Sequence, residues 1–598
     1  MPRPLIADEI RALEANGNVA SDWSGVFVSD PFCPDALRHN RFDGKVVLGV
    51  FDSSITHSSL ALPEGITHSW LRDCAIADHC AIHQVRLLSG CGVGAGATLF
   101  DIGELSASSD APFPTAEVMN ENGCRAVRLF PGMTVADAYL WAKYRGRNRL
   151  MQRLDEFASA MPQHRYVGAA AQIMHCQCLR NSWVVSSAEA PTVIDGATAI
   201  DSSVIGLGCH VERGPVLRNT LLGENVHIED CARINDSVVG DNSTIARCEV
   251  GNSIIFPAHE QHHNNSFLIA ACVMGQSNLA AGATIGSNHN GRTADGELRA
   301  GRGFWPGLCS SFKHPSYFAS YCLAAKGDYP NELNITLPFA LINNNAAKNQ
   351  LEVMPAYWWL YNMYALHRNE RKFANRDRRR VAAQHIEFSP LAPDTAEEIM
   401  CARELLRHWT EQAYIANVSN RDAAHIEVTA NAMEHGKRKV VVLKAAKAYQ
   451  AYEDMLYYYI GSVLAAKSRD LPSDTLAGTR EMAWANLGGQ LVAQSDLDAM
   501  IKEIEHGSVA SWQEVNERLD ALWSDYHARK REHAYRLLCR LGGTKTVTPE
   551  LWQRALARYD AACRYVAEQV SATRGKDDAN PFRRMMYDSD AEMTAVLG

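Results

Sequence analysis

The stretch VIDGATAIDSSVIGLGCHV, residues 193–211, decides the fold. Its aliphatics Ile194, Ile200, Ile205 and Val211 follow one another at steps of 6, 5 and 6 residues. A helix would repeat apolar residues every 3.6 positions and a half-buried strand every second one. A six-residue step fits a chain that turns a corner after each short strand and points one aliphatic inward per side of a three-sided coil. The pattern recurs with a period of 17. Ile194, Val211, Ile228 and Ile245 make one column, Ile200, Leu217 and Ile234 a second, and Ile205, Leu222 and Val239 a third.

A small residue usually stands two positions before the inward aliphatic, as Thr198, Cys209, Ala232, Ser243 and Cys248 do. The same register appears upstream at Cys74–Ile76, Cys80–Ile82, Cys91–Val93 and Ala97–Leu99, and downstream at Ser277–Leu279 and Ala283–Ile285. Tight corners leave room for small side chains only, so Cys74, Cys80, Cys91, Cys209 and Cys248 read as corner residues rather than redox or metal groups. Gly206, Gly223 and Gly240, with Asn225 and Asn242, mark turns that call for positive φ. The pattern resembles the hexapeptide-repeat superfamily. That resemblance implies a left-handed parallel β-helix, with the handedness coming from the family and not from the spacing.

At 598 residues the chain exceeds one ordinary core, so several units are expected. They read as a helical lead-in (1–43), a first part of the β-helix (44–105), an α/β insertion (106–165) and a continued β-helix with an irregular stretch (166–335). A hairpin with a helix (336–390) and a helical C-terminal region (391–598) follow. In the insertion, Thr115–Leu129 reads as a hairpin turning at Asn120-Glu-Asn-Gly, and Val135–Met161 as a basic helix. Asp394 with Glu397, and Ser511 with Glu514, have capping-box spacing. Arg371 to Arg380 holds six basic residues, read as a solvated helix face or, more sharply, a phosphate site. A net charge of -9 argues against general nucleic-acid binding. No apolar run reaches the roughly 18–20 residues of a membrane span, and the N-terminus has no apolar h-region, so a cytoplasmic protein is expected.

Chemistry is expected where the aliphatic repeat fades. Gly286-Ser-Asn-His-Asn-Gly-Arg292 leads into Glu297, Trp305, Lys313, His314, Lys326 and Asp328, polar groups set among glycines and aromatics. His289 and His314 are the candidate general bases. Arg292, Lys313 and Lys326 are candidate anion clamps, Trp305 a stacking platform, and Asn288, Asn290, Glu297 and Asp328 substrate contacts. Hexapeptide-repeat acyltransferases use a coil-borne His against a hydroxyl or amine, with acyl-CoA or acyl carrier protein as donor. His289, just after Ala283-Thr-Ile-Gly, is similar to that arrangement. The resemblance implies a small-molecule transferase, with acyl-CoA or a nucleotide sugar as co-substrate and a homotrimer as the assembly.

Two other readings stand beside it. His259, His262 and His263 have the residue types for a divalent metal, as in the γ-class carbonic anhydrases, although a polar surface loop is the simpler reading. A rigid oligomeric scaffold with a partner-binding helical tail is the non-enzymatic one. No phosphate loop and no N-terminal nucleotidyltransferase domain are present in the sequence. From Trp305 through Asn362, with FWPGLCSSFKHPSYFASY, KGDYP and VMPAYWWLYNMYAL, the chain resembles a bacterial family catalogued as a domain of unknown function. This resemblance extends over most of the chain and implies no activity.

Overall fold

The three aliphatic columns become three inner walls. Ile194 pairs in parallel with Val211, Val211 with Ile228 and Ile228 with Ile245. The Ile200 column and the Ile205 column pair the same way, one coil to the next. All ten side chains are at most 1% exposed, and each contributes about 1.5–3 kcal/mol by leaving water. The computed structural model describes residues 2–57, 60–286, 296–416, 426–473, 483–578 and 580–597. It is a parallel β-solenoid of about 17 turns with 12 helices, among the described residues, most of them in the C-terminal region. No helix among the described residues is long and apolar enough to cross a membrane.

The corners explain the small residues. Cys80 and Cys209 donate their thiols to the carbonyls of Gly94 and Gly223, at 3.2 and 3.0 Å. Burial pushes the thiols of Cys80, Cys91, Cys209 and Cys248 up to about 12, so they stay protonated near neutral pH. Positive φ falls on Asn225 and Asn242, at 55° and 54°. Gly206, Gly223 and Gly240 serve a different need from the one expected. A Cβ on each would collide with the next corner: on Gly206 with the backbone of Gly223, on Gly223 with Asp241 and on Gly240 with Pro257.

The solenoid is longer than the aliphatic pattern suggests, at both ends. Helix Ala7–Ala15 is present as expected, but a coil precedes Gly44. Val19–Ala20 pairs with Arg41–Phe42, Val26–Val28 with Val46–Leu48 and Leu37–Arg38 with Ile66–Thr67. Past residue 286 the coils continue in register, Val273 to Ala300 to Phe318 to Ile335 and Ile285 to Phe312 to Tyr329. Aromatics there fill the interior in place of aliphatics. Phe312 and Tyr329 stack with ring centroids 4.8 Å apart.

The insertion leaves the solenoid after strand Glu104–Ser106 and returns at Tyr166–Val167, that is, at the corner between the Ile200 and Ile205 walls. Thr115–Glu117 and Ala126–Arg128 form the expected hairpin. The expected single helix is two, Val135–Lys143 and Asn148–Ser159, with the first capped by Thr134 and Asp137. Their apolar faces cover outward-pointing Trp183, Val204, Leu221, Val238 and Ile254 of the solenoid and also receive Trp512 from the C-terminal region. The insertion is therefore the plate on which the C-terminal helices dock. Arg147 fixes it to Glu505 with Nε 2.9 Å from Oε1.

The hairpin Leu341–Asn345 with Gln350–Met354 follows the last coil. Helix Ala445–Leu464 covers that end, where Tyr452 donates to the Pro338 carbonyl at 2.6 Å. In the basic run 371–380, Arg371, Arg376, Arg378 and Arg380 are exposed, as a solvated face requires, but three of the six basic residues also pair with the solenoid. Lys372 and Arg376 each sit 3.1 Å from Glu260, and Arg379 sits 3.0 Å from Asp241. Glu224 accepts the backbone N–H of Val381 and Ala382 at 2.9 and 2.7 Å. The run is a strap over three successive coils, each offering one carboxylate. Ser511 caps Glu514 as expected, at 3.2 Å. Asp394 is not at the cap position, because helix Pro393–Ala416 begins one residue before it, and its carboxylate is held by Arg302.

Candidate functional site

The corner between the Ile200 and Ile205 walls carries the largest departures from the coil. Residues 106–165 leave from it, and strands Thr284–Ile285 and Leu298–Ala300 lie on either side of it. One and two coils further on, the same corner holds Lys313-His314-Pro315 and Glu332. The insertion hairpin lies along this corner. Met119 donates its N–H to the Asn252 carbonyl at 2.7 Å, Asn252 returns a bond to the Glu117 carbonyl at 2.6 Å, and Arg125 reaches Glu297.

Beside Glu297 an open groove of about 620 Å³ is lined by Arg299, Tyr317, Glu332, Asn334 and, from the C-terminal region, Glu434 and His435. Glu297 touches both Arg125 and Arg299. Lys143 lies close enough to feel the same field. Desolvation first, then repulsion from Arg299, holds Arg125 and Lys143 below the usual ranges of their types. Two cations, Arg125 and Arg299, thus flank one carboxylate, with Lys143 near enough to be repelled by both, and a bound anion would relieve that repulsion.

On the other rim Glu332 takes Lys313 Nζ on Oε1 at 2.8 Å and His435 Nδ1 on Oε2 at 3.1 Å. Burial pushes the Glu332 carboxyl up, and the bonds from Lys313, the backbone and His435 outweigh it, holding the group below the usual carboxylate range. A carboxylate on Nδ1 leaves Nε2 of the His435 ring, whose side chain is 86% exposed, free to exchange a proton with a molecule in the groove. The His435 N–H also bonds the Glu332 carbonyl at 2.9 Å, which fixes the loop against the last coils.

Not all residues singled out in the sequence meet here. Asn288, His289, Asn290, Arg292 lie outside the described residues. Glu297 and Lys313 are at the groove. His314 lies beneath it, 0% exposed, with Nε2 3.0 Å from the Ile269 carbonyl. This places it inside the corner rather than facing a substrate. Trp305 is on the Ile194 wall, packed on Trp358 with centroids 5.7 Å apart. Lys326 and exposed Asp328 are at the corner between the Ile194 and Ile200 walls, with Asp328 bonded to Ser311. The reading of 259–263 as a surface loop needs correcting at one residue. His259 lies in the solenoid interior, its Nδ1 2.8 Å from Ser277 Oγ and its Nε2 3.2 Å from Gln261 Oε1. Burial pushes it down to about 4. His262 and His263 stay outside, so the three do not converge. Among the described residues the trio whose ligand atoms come within 4.8 Å is Asp52, Glu64 and His79. There Glu64 accepts the backbone N–H groups of Asp52 and Ser53 at 3.1 and 3.2 Å, closing the base of the 54–63 hairpin.

Sequence reading missed Arg125, Arg299, Glu332 and His435. Coil arithmetic would have found Glu332, three residues past the inward Tyr329. Nothing local marks His435. It also missed a buried charge network behind the last coils. Arg302, 1% exposed, grips Asp394 through Nε and Nη2 at 2.9 and 2.8 Å and donates to the Ser389 carbonyl at 2.9 Å. Nearby, Lys530 Nζ lies 2.6 Å from Glu387, and His533 bridges Glu397 and Tyr459 at 2.8 and 2.9 Å.

Comparison with known proteins adds the lineage. The family described as "Domain of unknown function (DUF4954)" matches residues 2–410. A Treponema pallidum (strain Nichols) protein described as an uncharacterized protein is 40% identical over 655 aligned residues, covering 100% of this chain and 90% of the relative. The family match covers more than half of the chain, which therefore belongs to the DUF4954 family.

Proposed function

We propose that this protein is a group transferase, acting in the groove at the corner of the last coils on a phosphate-bearing donor or acceptor. The observation that carries this reading is the pairing across one groove of a carboxylate-oriented His435 with Arg125 and Arg299 on Glu297, Lys143 lying near both cations. In an acyl transfer, His435 Nε2 takes the proton of the acceptor hydroxyl or amine as the acceptor bonds to the acyl carbon. The donor thiolate leaves and the imidazolium returns a proton to it. Glu332 fixes the ring and balances the imidazolium, and Lys313 holds Glu332 in place. Arg125, Lys143 and Arg299 hold the phosphates of the CoA or nucleotide-sugar donor. His435 takes the role first read for His289 and His314.

The test is a thermal-shift screen with acyl-CoAs and nucleotide sugars, repeated on Arg299→Ala and His435→Ala. Binding should raise the melting temperature in the wild type and in His435→Ala, and be weakened in Arg299→Ala. Turnover of any bound donor should be lost in His435→Ala. If neither ligand class shifts the wild-type protein, the transferase reading fails and the scaffold reading takes its place.

A further inference from the structure

A cavity larger than the groove lies elsewhere, in the C-terminal region. It holds about 860 Å³ between the end of helix Ala445–Leu464 and helix Trp512–Gly542, with Ser389 and Leu391 as its floor. That is the size range of sites for nucleotide-sized molecules. Its lining mixes two chemistries. Val463, Leu464, Leu471 and Leu391 contribute apolar surface, while Lys467, Lys530 and Arg531 contribute cations.

The cations are not equivalent. Lys530 is neutralised by Glu387, with Nζ 2.6 Å from Oε2, and the same oxygen accepts the Tyr526 hydroxyl at 2.5 Å. Burial pushes Glu387 up, but Lys530 and its hydrogen bonds prevail and keep it ionised. This pair is part of the wall between cavity and solenoid, because the Glu387 carbonyl also accepts Gln276 at 2.6 Å. Lys467 and Arg531 have no carboxylate partner among the described residues. The one acid in the lining, Asp470, is engaged with Ser468 Oγ at 2.6 Å. Two cations with no carboxylate partner among the described residues, in a lining that also offers aliphatic side chains, favour a molecule with phosphates at one end and an apolar ring or chain at the other.

We infer that this cavity is a second ligand site, distinct from the groove, that binds a nucleoside diphosphate with its phosphates on Lys467 and Arg531 and its base against Val463 and Leu464. The inference does not depend on the transferase reading. Isothermal titration of the full chain with ADP, in magnesium-free buffer at physiological salt, tests it. Saturable binding is expected, weakened by about tenfold or more in Lys467→Ala/Arg531→Ala and unchanged in Arg299→Ala, which alters the groove only. Both cavity side chains reach solvent, so the double variant should melt with the wild type. Absence of saturable ADP binding, ADP affinity that survives the double substitution, or affinity lost with Arg299→Ala would overturn the assignment.

Discussion

Asp394→Ala should detach the C-terminal region from the solenoid more effectively than any surface substitution. The Arg302 side chain is 2% exposed and Asp394 supplies both oxygens that neutralise it. Burial favours loss of the guanidinium proton, and Asp394 with its acidic neighbours more than reverses this. Removing Asp394 leaves a buried charge with no carboxylate in direct contact, held by the carbonyls of Ser389 and Glu387. Breaking such a pair costs about 3–5 kcal/mol. With a urea slope on the order of 3 kcal/mol/M, the midpoint should fall by about 1–1.7 M. Trp484 and Trp523, both packed on Tyr526, report the loss through their emission. Arg302→Met/Asp394→Leu removes both charges and should recover most of the stability, since apolar replacement of a buried pair is near neutral. The reasoning is refuted if Asp394→Ala costs under about 1 kcal/mol, or if the double variant is as unstable as the single one.

Three further outcomes are expected. Ile228→Ala should cost about 2–5 kcal/mol by opening a cavity in a wall with 0% exposure, against about 1 kcal/mol for Ile228→Val, and equal melting points for the two would contradict the inward wall. Gly223→Ala should destabilise by about 1–3 kcal/mol, because its Cβ meets Asp241 and the Gly240 backbone, whereas Gly146→Ala, with nothing within 4 Å, should be neutral. His259 has a folded value of about 4 against 6.5 unfolded, so its neutral form stabilises the fold above pH 6.5 and that stability is lost as pH falls through 4. Wild type should lose about 3 kcal/mol more than His259→Gln between neutral pH and about 4, and parallel melting curves against pH would remove His259 as the cause.

The solenoid was legible because one residue per wall repeats with a fixed step, and that step follows from geometry within a single coil. Legibility stopped where the filling changed chemistry. Phe312, Phe318 and Tyr329 do the work of Ile285, Ala300 and Leu268, and a search for aliphatics reads their coils as irregular. The same change set the functional expectation askew, because residues counted together along the chain fall on different walls. Glu297, Lys313 and Glu332 share a corner, while Trp305 and Lys326 do not. The pairing of the basic run 371–380 was illegible for a related reason. Its partners Glu224, Asp241 and Glu260 are over a hundred residues away and look like ordinary turn acids in the sequence.

His435 makes the strongest argument about how this architecture is used. The solenoid alone offers cations at Glu297 and a paired Glu332, but the ring that would exchange a proton comes from residues 426–438, beyond the 2–410 span of the family match. It is held by an antiparallel bridge from Leu333 to Glu434, by the Arg438–Glu434 pair, and by strand Lys439–Val442 lying beside Gln350–Met354. Strand, loop and corner thus fix one another. The insertion that brings Arg125 to the groove is the same one that receives Trp512 of the C-terminal helices. Both rims therefore depend on the C-terminal region being docked, and a solenoid truncated after the family match would lose His435 outright and the brace behind Arg125. Chemistry in the groove should belong to the whole chain and to no fragment of it.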